Sequence, residues 1–133
     1  HALAARPALR GYRNRKVVVG VRPEELADAA LGPPPVPGTT LAADVELVES
    51  LGNELQVHFL IDAERARSED SAAAIAASEL GGPSMLRPAG TTSEGVARVA
   101  PRSELKAGSR ATFAVDTERL HFFDPDSGSA IWN

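Results

Sequence analysis

Six carboxylates stand in pairs close enough along the chain for acid–base work: Glu24 with Glu25, Glu46 with Glu49, and Asp124 with Asp126. Such work needs two groups whose surroundings push their pKa values apart. Acids on strands and turns are ordinarily just solvated. Asp124 and Asp126 flank Pro125 in a turn sequence, where aspartate is favoured because its side chain bonds its own backbone. The histidines are His1, His58 and His121. A zinc site wants three or four converging ligands, and His58 and His121 read as solvent-facing residues on two separate strands. Phe122, Phe123 and Trp132 could stack bases, but no lysine lies near them and they read better as core. Arg22, Pro23 and Glu24 follow a run of valines, Val17 to Val19, as a corner where an arginine bonds nearby carbonyls or an acid.

Recognised catalytic patterns are missing. There is no G-x-x-x-x-G-K-[ST] phosphate loop, no H-E-x-x-H helix and no G-x-S-x-G elbow. Neither lysine, Lys16 nor Lys106, follows a glycine. The residues point to a domain that binds or regulates rather than one that catalyses.

Bulk composition narrows the classes further. The chain has 133 residues, 43% hydrophobic and 24% charged, which fits one domain with a core of its own. Its net charge of −4 is a poor footprint for nucleic acid, and the arginines read as scattered, without a basic stripe. Cysteine is absent, which excludes disulfides and thiolate-bound metal and suits a cytosolic protein. No apolar run approaches the roughly 20 residues of a spanning helix. The first residue is His1, and the chain is expected to be part of a longer polypeptide.

The elements that must position these residues are mostly strands. Residues 1–15 read as a lead-in with one short helical turn, and 16–21 as a β-branched strand ended by Pro23, which offers no N–H to a ladder. Residues 24–30 could make a helical turn. Four prolines between Gly32 and Gly38 favour an extended loop. The clearest signal lies in 40–49 and 55–62. Val45 and Leu47 alternate with Asp44 and Glu46, and Leu55, Val57, Phe59 and Ile61 alternate with polar or outward residues. That period marks a half-buried hairpin, turned by Gly52-Asn53. Residues 63–92 read as an insertion holding a short Ala-rich helix. Strands follow at 95–99, 111–115, 120–123 and 130–132. Many short strands with frequent turn signals indicate an all-β barrel or sandwich.

Three stretches also form an ordered set: KVVVGVRPEEL (16–26), VELVESLGNELQVHFLID (45–62) and ARVAPRSELKAGSRATFAVDTERLHFFDPDSGSAI (97–131). They hold G-V-R-P-E at 20–24, E-x-L-G-x-E at 49–54 and V-D-x-x-R-L-H-x-F-D at 115–124. The chain resembles the C-terminal regulatory domain of ATP-binding-cassette ATPases that energise carbohydrate import, of the maltose, multiple-sugar and glycerol-3-phosphate type.

The resemblance covers about residues 16–62 and 95–131. It implies an OB-like small β-barrel of the transport-associated (TOBE) type, one domain over 1–133, within a longer ATPase. It implies no catalytic, cofactor or metal residues here, with ATP and Mg held by an upstream nucleotide-binding domain. The implied partners are that ATPase domain, a second copy of the chain, the permease subunits indirectly and, in some members, a regulatory protein. The implied place is cytoplasmic, at the inner face of the cell membrane. Residues expected at interdomain or dimer contacts are Arg22, Glu24, Glu49, Asn53, Glu54, Arg119 and His121. A free-standing OB module for a small ligand or oxyanion is the rival, with backbone N–H groups at Gly52-Asn53 or Gly128-Ser129 as its nest.

Overall fold

The computed structural model describes residues 2–63 and 92–132. The expected Ala-rich helix falls at residues outside these. Seven strands are present among the described residues: β1 (Val18–Gly20), β2 (Leu26–Asp28), β3 (Thr40–Ser50), β4 (Leu55–Ile61), β5 (Ser93–Val99), β6 (Arg110–Val115) and β7 (His121–Phe123). The lead-in forms a short helix, α1 (Ala2–Ala5), and a 3-10 helix at Pro7–Tyr12.

Five strands make one antiparallel sheet in the order β2-β6-β3-β4-β5. The sheet curls until its two edge strands, β2 and β5, touch, giving the all-β, OB-like half-barrel that the strand pattern predicts. Its inner face alternates bulky and small residues. Phe59 and Phe113 meet at 5.0 Å between ring centroids, tilted by 42°, while Ala43, Ala97 and Ala111 are buried beside them. Alanines on the concave side let the strands close tightly around the two rings, and tilted rings add attraction beyond the area they bury. Gly95 lies across from Phe59 in the β4–β5 register. A Cβ there would strike the Phe59 ring, so glycine lets the ring lie flat on the strand.

β3 is long enough to serve two neighbours. Its first half pairs with β6 over Thr40–Asp44, and it pairs with β4 from Asp44 to Ser50. The switch is accommodated by a bulge between Val45 and Leu47, a common device where a barrel strand must bend. It also corrects the simple alternation expected for 40–49. Val45 is buried, but Leu47 is turned out at 47% exposure, and Val48 packs against the core instead. In the hairpin turn Leu51 N–H donates to the Glu54 carbonyl at 2.9 Å. Gly52 has φ of 88°, positive at the first central residue as in a II′ turn; Asn53 does not share it.

A second, smaller unit joins the chain ends. β1 pairs with β7, and Leu9, Phe122 and Ile131 are buried together with Tyr12, Val17 and Leu120 around them. The strand expected at 130–132 is reduced to a single bridge, Phe123 with Ala130. Another difference falls at 24–30. Two 3-10 turns, Pro23–Glu25 and Ala29–Leu31, flank Leu26–Asp28, which is a strand paired with β6.

Candidate functional site

The corner between the two units is built by Glu25. Pro23 starts the 3-10 turn, its fixed φ suiting the first helical position. Glu25 then reaches back: its Oε2 accepts the Arg22 backbone N–H at 3.0 Å, while Glu25 N–H donates to the Arg22 carbonyl at 2.9 Å. Its side chain is buried, and its carbonyl accepts from Asp116 N–H at 3.0 Å. A glutamate at the third position that bonds back to the residue before the turn is half of a capping box, and the order Arg22-Pro23-Glu24-Glu25 carries that signal. The arginine corner of the sequence reading is therefore a main-chain corner. The Arg22 guanidinium is exposed and makes no hydrogen bond or ion pair with a described residue.

Four of the expected contact residues gather at this corner. Arg22 and the exposed Glu24 lie on it. Asp116, tied to Glu25, is 3.4 Å from Arg119 Nε. His121 stands opposite Gly20 in the β1–β7 ladder, and lines a shallow cleft with Arg6, Phe122 and Trp132. The other three, Glu49, Asn53 and Glu54, lie at the β3–β4 hairpin end. There Glu49 is 3.2 Å from His58 Nε2, and Glu54 is 3.7 Å from Arg98 Nε. No hydrogen bond or ion pair among the described residues joins the two groups. The ion pairs are solvent-exposed and each is worth about 0–1 kcal/mol.

Two further carboxylates, Asp28 and Asp124, have structural partners. Asp28, buried on β2, accepts Ser103 Oγ–H at 2.6 Å and Ala30 N–H at 3.0 Å. This ties the β5–β6 turn to the edge strand β2. Asp124 Oδ1 accepts N–H from Asp126 and Ser127, each at 2.9 Å, and Oδ2 accepts the Tyr12 hydroxyl at 2.9 Å. The Ser127 amide first, then Tyr12 and the Asp126 amide, hold the Asp124 carboxyl below its ordinary value. The same bond to Asp124 raises the Tyr12 hydroxyl. Of the amides expected as an oxyanion nest at Gly128-Ser129, Gly128 N–H donates to the Asp124 main-chain carbonyl at 2.8 Å and Ser129 N–H to Ser127 Oγ at 3.3 Å. Among the described residues no three His, Asp or Glu side chains converge as a metal site would require.

No family model matches the chain. Individual relatives do. Trehalose/maltose import ATP-binding protein MalK of Thermococcus litoralis is 32% identical over 123 residues, covering 92% of this chain and 25% of that protein. Trehalose import ATP-binding protein SugC of Mycobacterium tuberculosis is 36% identical over 119 residues, with 86% and 28% covered. Osmoprotective compounds uptake ATP-binding protein GgtA of a Synechocystis strain is 31% identical over 119 residues, with 90% and 25% covered. The chain spans about a quarter of the length of these curated relatives. It aligns with their C-terminal part, and by this likeness it belongs with the C-terminal regions of import ATP-binding proteins.

Proposed function

We propose that this chain is the regulatory and dimerisation domain of the ATP-binding subunit of a sugar-type importer, where it couples the motion of the ATPase dimer to transport. The observation that supports this reading most is the alignment of about 90% of the chain with the C-terminal part of such subunits. The domain itself is non-catalytic. ATP and Mg belong to a nucleotide-binding domain elsewhere in the polypeptide, and the complex lies at the cytoplasmic face of the cell membrane. Partners are that ATPase domain, a second copy, the permease subunits indirectly and, in some settings, a regulatory protein.

The mechanism is mechanical. A sheet curled until its edge strands touch is stiff because its strands share one packed core. The corner at Pro23–Glu25 is a backbone-bonded joint between that barrel and the small unit, and it presents Arg22, Glu24, Arg119 and His121 on its surface. Contacts there with the ATPase domain or the second copy favour one arrangement of the ATPase halves over another, which is what coupling requires.

Arg22→Ala tests the reading in the reconstituted transporter. The fold stays intact, because the guanidinium holds nothing within the described chain. The dependence of ATP hydrolysis on transported solute weakens about fivefold or more. If Arg22→Ala and Arg119→Ala together leave that dependence unchanged, the corner is only structural. If deletion of the whole domain also leaves it unchanged, the regulatory reading fails.

A further inference from the structure

Charge is divided between the two units of this molecule. Residues 1–22 hold six cations and no acid, while residues 23–133 hold eight cations and eighteen acids. Among the described residues, the small unit (2–22 and 117–132) has seven cations against three acids, net +4, and the barrel (23–63 and 92–116) has four against eleven, net −7. The cations that read as scattered are concentrated in the first 22 residues, and the fold adds Arg119 to them.

The basic end has unengaged groups. Arg6 donates to the Glu118 carbonyl at 2.9 Å and lies over Phe122, and Arg15 lies over Tyr12. Arg10 and Arg13, by contrast, are exposed and bond no described residue. In the same unit Leu3 and Val19 are about half exposed. The outer side of β3 is the counterpart in both respects. It carries Asp44, Glu46 and Glu49, and the bulge turns Leu47 out among them, with Leu51 following at 48% exposure. Asp44 is 2.9 Å from Arg110, but both side chains are more than 60% exposed, so that pair exchanges readily for another partner.

We infer that the basic small unit of one copy docks on the acidic outer face of β3 in a second copy, with the copies antiparallel so that the contact occurs twice. This rests on the dimerisation reading above. A two-fold interface requires that a patch touching a different patch on the partner be touched by it in return. Two molecules with opposite charge at their two units satisfy that rule when they lie head to tail. Opposite potentials select the register, and the exposed leucines and valine on each patch supply the apolar centre such contacts need.

Sedimentation equilibrium on the 133-residue chain tests the inference. The wild type is expected to dimerise, and the dimer to weaken about tenfold or more between low salt and about 0.5 M, as screening shortens the reach of the charges. Arg10→Glu/Arg13→Glu and, separately, Asp44→Lys/Glu49→Lys each dimerise at least about tenfold more weakly, with unchanged circular dichroism. Mixed, the two variants form a heterodimer, because both contacts are again between opposite charges. A dimer indifferent to salt and to both variants overturns the inference and leaves dimerisation standing. A chain monomeric throughout overturns both. Monomers that instead cosediment with phosphatidylglycerol vesicles, and lose this with Arg10→Glu/Arg13→Glu, assign the basic end to a membrane surface and likewise overturn the inference.

Discussion

At the scale of single residues, the bonded acids Asp124 and Asp28 hold the fold together. Asp124, though spaced from Asp126 as a catalytic pair could be, reads in sequence as a turn aspartate. In the fold its carboxylate accepts from two amides and from Tyr12, so it closes a turn and clips the lead-in to the chain's end. Its lowered pKa sets the sign of a pH effect. A carboxyl favoured in its charged form contributes stability fully above the ordinary aspartate value of about 3.9. That contribution is lost as pH falls through the lower value of the folded chain. Asp124→Asn is therefore destabilising at neutral pH, and thermal melts of the two proteins converge as the solution is acidified below that range. Asp28 works similarly with Ser103. Ser103→Ala removes its hydroxyl partner and is expected to cost about 1–2 kcal/mol in urea unfolding.

At the scale of elements, what could be read from residues depended on where the information lay. The hairpin was legible because Leu55, Val57 and Phe59 carry their own period and Gly52 its own turn chemistry. The bulge was not, since Val45-Glu46-Leu47 alternates correctly in sequence and only pairing with β4 shows that Leu47 has changed face. β2 was missed because three residues hold no period; Leu26–Asp28 is a strand because β6 pairs with it. The seven expected contact residues divided between the corner and the hairpin end, a division that belongs to the topology and not to the motifs. Two substitutions separate these readings. Leu47→Ser changes stability by less than about 0.5 kcal/mol, as for an exposed site, whereas Phe113→Ala costs about 3–5 kcal/mol. Gly95→Ala, pressed against Phe59, costs about 1–3 kcal/mol through overpacking despite adding one methyl group. Chemical denaturation of the three variants checks the order.

At the scale of the whole molecule, the chain is a curled barrel joined to a small unit through one corner bonded chiefly by its backbone, and its net charge of −4 conceals a basic end and an acidic body. Both features suit a part that is held between others. The proposed coupling requires an ATPase domain in the same polypeptide, so the most direct measurement is to sequence the gene upstream of the codon for His1. The account predicts an in-frame phosphate loop, G-x-x-x-x-G-K-[ST] following a strand, within the same open reading frame. An initiator codon and a secretory signal peptide immediately before His1 would contradict it, and would make this chain a free-standing binding module.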